Sequence, residues 1–145
     1  MQSKCMIILI YAVVFINCTK IDARISIKCN NSHGSLAQVF LMEKDFSGTR
    51  LEWLDEDDTL DYGTYDFTKL PRQFLFLSGS DIEALGLFPY IYVWHDCGKG
   101  FEWKGTTVTL DHSVRLDKLY HVTIDLDTND ASFTSKTLIF NRPIN

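Results

Sequence analysis

The stretch PYIYVWHDCGKG, residues 89–100, decides the fold class, because its side chains alternate with a period of two. Successive side chains of a β-strand point to opposite faces of a sheet, so this stretch predicts a strand with two different faces. One face is mainly aliphatic and comprises Ile91, Val93, His95 and Cys97. The other is mainly aromatic and comprises Tyr90, Tyr92, Trp94 and Asp96. Half-buried strands normally alternate apolar with polar residues, so the aromatic face needs an explanation.

The remainder of the chain shows further short segments typical of strands, separated by turn-forming residues such as those in NNSHG after Cys29. Seven short strands with turns between them favour a sandwich or barrel of antiparallel strands. The predicted strands are residues 24–29, 37–42, 51–54, 72–77, 89–97, 106–110 and 120–126. Residues 55–58 and 61–63 are expected to form a loop and a turn. The pattern SDIE at residues 80–83 resembles a capping box and predicts one helical turn or a plain loop.

Residues 1–23 have the pattern of a secretory signal peptide. Lys4 precedes an apolar run at residues 6–16, and a short polar stretch then ends in Ala23. The run is shorter than the ~20 residues that a membrane-spanning helix needs, and an uncleaved anchor is the alternative. Cleavage after Cys18 and cleavage after Ala23 both fit the pattern.

The predicted leader divides the chain into three parts. Residues 1–23 are the signal peptide, residues 24–128 form one sandwich domain, and residues 129–145 form a C-terminal tail that could pack on that domain. The mature protein is therefore expected to be secreted and extracellular. The net charge is −5 and no cluster of lysine and arginine is present, so nucleic acid is not expected as a partner.

Cysteine usage predicts a disulfide. Two of the four cysteines lie in the leader, which leaves Cys29 and Cys97 as an even pair in an oxidising compartment. The alternative is two buried free thiols. Cys29 lies on the aliphatic side of its own segment, so a bridge requires Cys97 to point inward as well. Tyr90, Tyr92 and Trp94 then point away from the core.

Three other motifs suggest chemistry of their own. His95 and Cys97 share a strand face and could touch one metal ion, but the chain has no further pair with the spacing of zinc ligands. A bridged Cys97 has no thiolate, so it is not expected to be a catalytic nucleophile. The acidic run at residues 55–58 lacks the spaced ligands of a calcium loop and is interpreted as a solvated loop. Asn30 begins an Asn-Asn-Ser sequon and is a glycosylation candidate.

The central segment FLFLSGSDIEALGLFPYIYVWHDC resembles the signature of the nematode transthyretin-like family. That family shows Phe-x-Leu-Ser-Gly-x-x-x-Glu, a proline, an alternating strand and Tyr-His-Asp-Cys. An early strand ending in cysteine, ISIKC, and the late strand YHVTIDL also fit, so the resemblance covers roughly residues 25–126. The matching positions are Phe74 or Phe76, Leu77, Ser78, Gly79, Glu83, Pro89, His95, Asp96 and Cys97, with Trp94 at the usual tyrosine.

The resemblance implies a secreted sandwich of the transthyretin type, made of two antiparallel sheets. It also implies a non-enzymatic binding protein that recognises an extracellular protein or a cell-surface lipid. The enzyme branch of this fold, 5-hydroxyisourate hydrolase, has a histidine in its first strand and a Tyr-Arg-Gly-Ser end. Here RISIKC has no histidine and the chain ends Asn-Arg-Pro-Ile-Asn, so neither an enzyme activity nor a cofactor is expected.

The aromatic face is the candidate interface. Tyr90, Tyr92 and Trp94 would provide contact area for a partner or for a second copy in a homodimer. Alternatively, a loop or the apolar segment TLIF at residues 137–140 covers them. The second function considered is an extracellular carrier of a small apolar ligand, which would need an enclosed pocket.

Overall fold

All regular structure in the described part of the chain is β-strand. The computed structural model describes residues 4–9, 12–30, 36–45, 57–69, 73–82, 86–98 and 102–139, with side chains from Cys18 onward. Within those ranges no helix has the length and hydropathy needed to cross a membrane. The strands are β1 (Lys4–Leu9), β2 (Ala12–Asn17), β3 (Thr19–Lys28), β4 (Leu36–Glu43), β5 (Asp58–Asp66), β6 (Leu75–Asp81), β7 (Pro89–His95), β8 (Lys104–Thr109), β9 (Lys118–Asp125) and β10 (Asp130–Thr137).

Eight of these strands form two four-stranded sheets, and the predicted β-sandwich is confirmed. The first sheet has the order β10-β9-β3-β6, and the second has the order β5-β4-β7-β8. All neighbours are antiparallel except β3 and β9, which run parallel. β1 and β2 pair only with each other and form a separate two-stranded sheet.

The core lies between the two four-stranded sheets and follows the period-two pattern of the sequence. Strands β3 and β9 of the first sheet contribute alternate buried residues, as do β4 and β7 of the second. The side chains that are fully buried or nearly so include Ile21, Ala23, Ile25, Val39, Leu41, Ile91, Val93, Tyr120, Val122 and Ile124.

The predicted disulfide is confirmed, and it joins the two sheets. Cys29 follows the last residue of β3, and Cys97 follows β7 by two positions. Their Cα atoms are 6.0 Å apart, and the bridge closes a sequence separation of 68 residues. The register deduced from it also holds, because Ile91, Val93 and His95 are completely buried.

Strand β5 corrects one expectation. Residues 61–63 were expected to turn, but they lie inside β5, an edge strand paired with β4 through a bulge after Leu41. An edge strand with one solvent-exposed face buries few side chains, so this segment forms a strand although it has few apolar residues. Gly63 packs closely on Leu75, since a Cβ atom there would lie 2.9 Å from Leu75 Cδ1. The predicted strand at 51–54 lies outside the described residues.

The strands that border the predicted domain extend beyond residues 24–128. β3 begins at Thr19, and β10 occupies much of the segment treated as a C-terminal tail. β10 is an edge strand of the first sheet, so this part of the tail does not cover the aromatic side of β7 in the second sheet. At residues 80–83, β6 continues through Asp81 in place of a helical turn, and Glu83 lies outside the described part.

Candidate functional site

Strand β7 presents the candidate interface on the outer side of the second sheet. Its burial alternates along the strand, so the residues between the core positions face outward. Tyr90 and Tyr92 are half-buried, and 37% of Trp94 is exposed. The structure therefore places all three predicted residues on one surface, pointing away from the core.

Two neighbouring strands extend this surface with further rings. Phe40 of β4 lies opposite Tyr92 in the register, and their ring centroids are 6.1 Å apart. Tyr62 of β5 lies opposite Phe40 on its other side, with ring centroids 6.3 Å apart. A row of three rings thus crosses the sheet perpendicular to its strands, and Tyr62 at its end is 71% exposed.

Trp94 has an aromatic partner of its own. The ring centroids of Trp94 and Trp103 are 6.2 Å apart, and their planes differ by 24°. Trp103 is 46% exposed and immediately precedes β8. We call the surface formed by Phe40, Tyr62, Tyr90, Tyr92, Trp94 and Trp103 the outer aromatic face.

A glycine allows the rings to lie flat against the sheet. Gly105 of β8 is paired with Trp94, and the Tyr92 side chain crosses over it. A Cβ atom at Gly105 would lie 2.3 Å from Tyr92 Oη, which is far inside contact distance. Any larger residue at this position would lift the Tyr92 ring away from the surface.

The positions that share the side of the outer aromatic face in β4, β5, β7 and β8 carry no lysine or arginine, and one of them, Asp66 opposite Leu36 at the end of β5, is an acid. Most of the other side chains there offer hydroxyl, amide or thioether groups, namely Gln38, Met42, Thr59, Thr64, Thr107 and Thr109. A second acid lies at the border, where the Tyr90 hydroxyl donates to Asp57 Oδ2 at 2.6 Å. Burial raises the pKa of Tyr90 above its ordinary value, and the hydrogen bond to Asp57 raises it further. Tyr90 is therefore a neutral donor tied to its own chain.

Sequence reasoning missed half of this surface. Phe40, Tyr62 and Trp103 belong to it only because β4, β5 and β8 pair beside β7 in a register that is set across the sheet. The alternation in residues 36–43 places Phe40 on the outer side once the core side is known. Tyr62 carried no such signal, because its segment was interpreted as a turn.

The His-Asp-Cys sequence at the end of β7 has a structural role, because His95 connects this strand to its neighbours by hydrogen bonds. The backbone N–H of Cys97 donates to His95 Nδ1 at 3.1 Å, so the neutral ring carries its proton on Nε2. Nε2 is 2.9 Å from Thr106 Oγ1 and donates to it, and Thr106 Oγ1 lies 3.4 Å from Asn129 Oδ1. The histidine thereby connects β7 to β8 and to the turn between β9 and β10.

The electrostatics of His95 fit this structural role. Burial lowers the pKa of His95 below its ordinary value, and the positive charge of Lys104 adds to the effect, while Asp96 opposes it. The imidazole is therefore neutral at physiological pH. Both of its nitrogen atoms are occupied by hydrogen bonds within the chain.

Metal-ligating geometry arises at one place among the described residues, around Cys29, Cys97 and Asp127. Both cysteines are bonded to each other, so neither offers a thiolate to a metal ion. The group therefore does not form a metal site. The acidic run at 55–58 lies partly outside the described residues, and Asp57 is engaged by Tyr90.

A cleft of about 250 Å³ lies between β8 and the start of β10. Most of its lining is polar or small, and comprises Gly105, Thr106, Thr107, Val108, Asn129, Asp130 and Ala131. This volume is below the ~300–1,000 Å³ of typical ligand pockets, and those pockets are mainly apolar. The cleft thus lacks the character of a carrier site.

The glycosylation candidate Asn30 is exposed at the turn after Cys29, and its backbone N–H donates to Asp127 Oδ2 at 2.7 Å. The rest of the sequon lies outside the described residues. Comparisons of the chain with protein-family models, with curated proteins and with solved structures return no match.

Proposed function

We propose that this chain is a secreted, non-enzymatic binding protein of the transthyretin-like family that docks an extracellular protein through its outer aromatic face. Two features support the family. One is the sandwich of two four-stranded sheets, and the other is the bridge from Cys29 to Cys97, the cysteine of the His-Asp-Cys motif. A disulfide is also compatible with an extracellular location. The proposed binding function depends on the surface alone.

The observation that carries the proposal is a group of exposed rings on a sheet face whose paired positions carry no lysine or arginine. Tyr62, Trp94 and Trp103 are 71%, 37% and 46% exposed. A contiguous apolar patch of this kind on a monomer often marks an interaction site. Tyrosine and tryptophan supply much of the binding energy in protein interfaces, whereas charged residues are depleted from interface cores.

The charge pattern favours a protein over a lipid headgroup as the partner. Anionic headgroups attract clusters of lysine and arginine. The outward positions of β4, β5, β7 and β8 around the rings carry no lysine or arginine, and Asp66 among them is an acid. If the partner protein is a second copy of this chain, the same face is buried in a homodimer.

The alternative function, transport of a small apolar ligand, receives less support. It requires an enclosed apolar pocket. The cleft beside β8 is small and largely polar, and it is lined by Thr106, Asn129 and Asp130 among others. The non-enzymatic assignment is supported by His95, whose two nitrogen atoms hold structural hydrogen bonds, and by the bridged state of Cys97.

The proposal is tested by site-specific photo-crosslinking. A photoreactive phenylalanine analogue replaces Tyr62 in the outer aromatic face or, as a matched control, Phe76 in the first sheet. Both side chains are highly exposed, at 71% and 66%, so each substitution should leave folding intact. The secreted protein is illuminated in an extracellular extract, and the crosslinked products are identified by mass spectrometry.

We expect one reproducible protein adduct, or a covalent dimer, from position 62 and none from position 76. Equal labelling from both positions would show that the rings on the second sheet have no special role. Flotation with vesicles of phosphatidylcholine containing anionic phospholipid provides the lipid comparison. Binding to vesicles that leaves position 62 free of protein adducts would replace the protein partner with a lipid.

A further inference from the structure

Strand β3 crosses the predicted end of the leader. The sequence allows cleavage after Cys18 or after Ala23, and these two positions have different consequences for the fold. β3 runs from Thr19 to Lys28 without interruption, and its burial alternates from its start. Ile21 and Ala23 are 0% and 1% exposed and belong to the main hydrophobic core.

Residues 19–23 also hold most of the ladder between β3 and β6. The register pairs Thr19 with Asp81, Lys20 with Ser80, Ile21 with Gly79, Asp22 with Ser78, Ala23 with Leu77, Arg24 with Phe76 and Ile25 with Leu75. Cleavage after Ala23 would leave β6, the edge strand, attached to β3 through the last two of these pairs. A strand held by so short a ladder would lose its place at the edge of the sheet.

The side chains and backbone of this segment make specific bonds as well. The backbone N–H of Lys20 donates to Asp117 Oδ1 at 2.8 Å, and Asp117 is buried. Ser78 Oγ donates to Asp22 Oδ1 at 2.5 Å. Removing residues 19–23 would leave a buried carboxylate without this donor, which is costly in a folded protein.

The residues before Thr19 are organised differently. β1 and β2 pair with each other and belong to neither four-stranded sheet. Cys18 stands between this hairpin and β3 and is in no strand. Cleavage after Cys18, like cleavage after Ala23, would remove both cysteines of the leader together. The mature chain would then hold an even number, Cys29 and Cys97, which are already bonded.

We propose that signal peptidase cleaves this chain between Cys18 and Thr19, so that the mature protein begins at Thr19. The inference depends on the predicted leader and is independent of the proposed binding function. Cleavage at this position retains all of β3 and detaches the separate hairpin. Asp81 is the register partner of Thr19, so the new α-amino group would lie on the strand next to one that carries an acidic residue.

The full-length chain is expressed in secreting eukaryotic cells, and the N-terminus of the protein in the medium is determined by intact mass and N-terminal sequencing. We expect Thr19 as the first residue. A chain beginning at Arg24, at any other position, or with the leader retained would overturn the proposal.

Two variants of the full-length chain keep the test informative if secretion is poor. Cys18→Leu places a large residue where the peptidase needs a small one, so processing at Thr19 should be lost. Ala23→Val disfavours the other position and adds little volume in the core, so the product should still begin at Thr19. A Thr19 product from Cys18→Leu, or a changed N-terminus from Ala23→Val, would contradict the proposed cleavage position.

Discussion

The outer faces of the two sheets differ in how their exposed side chains are paired within the chain. On the first sheet, two lysines are paired with acids of the chain: Lys20 Nζ lies 3.0 Å from Asp22 Oδ1, and Lys28 Nζ lies 3.0 Å from Asp125 Oδ2. Even its exposed rings have a cation, because Arg24 Cζ lies 3.7 Å from the Phe74 ring centroid. Among the described residues, no cation lies over a ring of the outer aromatic face.

This difference indicates which face would gain more free energy by binding a partner. A sheet face covered by ion pairs and hydroxyl groups is well solvated and gains little from a partner. A face that exposes aromatic rings gains free energy whenever that apolar surface leaves water. The two faces share one core, so a substitution can be placed on one face and compared with a matched substitution on the other.

The largest expected effect acts on both faces equally. Replacing Cys29 and Cys97 together by alanine removes the link between the sheets. The loop-entropy relation gives a loss of about 4 kcal/mol for a separation of 68 residues. Urea unfolding monitored by circular dichroism measures the loss, and amide hydrogen exchange follows the two sheets separately.

If the sandwich is one cooperative unit, exchange in β7 and in β9 should accelerate together in this double variant. Faster exchange in one sheet alone would mean that the sheets unfold independently. A stability equal to that of the unmodified protein would show that the bridge contributes nothing to folding.

Gly105→Ala should disturb the outer aromatic face alone. The new methyl group would overlap the Tyr92 hydroxyl, whose oxygen lies 2.3 Å from an ideal Cβ position. Overpacking of this kind costs about 2 kcal/mol and should displace the ring. Thr107→Ala is the control on the same strand and the same side of the sheet. Urea midpoints measure the cost, and equal midpoints for the two variants would contradict the close packing of Tyr92 on β8.

Trp94→Ala should separate binding from folding. Because Trp94 faces outward, its removal should destabilise the fold by less than the ~3 kcal/mol expected for a buried aromatic residue. Removal of an interface tryptophan weakens binding by about 2 kcal/mol, or roughly 30-fold. Phe76→Ala on the first sheet is the matched control and should leave partner affinity unchanged. Titration of the crosslinked partner by calorimetry decides the matter, and equal affinities for the two variants would remove the distinction between the faces.

The sequence predicted the parts of this architecture that depend on local alternation. The period of two in residues 89–97 separated Ile91 and Val93 from Tyr92, and cysteine parity predicted the bridge, which then placed Ile91 and Val93 in the core. These inferences succeeded because adjacent side chains of a strand must point in opposite directions. The sandwich followed from the number of such segments.

The parts that failed depend on pairing between distant segments. β5 has a weak apolar pattern because it is an edge strand, and β10 is exposed along nearly its whole length. Neither strand buries every second side chain, so its sequence lacks the alternation of apolar and polar residues that predicts a strand. Tyr62 joined the aromatic row through the β4–β5 register, which no local pattern specifies.

The smallest expected effect concerns the inner side of β7 and its response to acid. His95 is completely buried, and burial together with Lys104 lowers its pKa, with Asp96 opposing. The unfolded chain therefore takes up a proton near the ordinary pKa of 6.5, while the folded protein resists until a lower pH. Since the unfolded state then binds more protons, the contribution of His95 to stability should fall as pH decreases below 6.5 and should be constant above it.

His95→Gln tests this acid response, because its amide can accept from the Cys97 N–H and donate to Thr106 without titrating. Between pH 7.5 and pH 5, the urea midpoint of the unmodified protein should fall further than that of the variant. Local unfolding at acid pH should begin where His95 joins β7 to β8, next to Trp94 and Gly105. Hydrogen exchange in β7 and β8 should therefore accelerate at pH 5 before exchange in β3 and β6 does. Parallel pH profiles for the two proteins would show that His95 is not the group responsible, and uniform acceleration would show that acid does not distinguish the second sheet from the first.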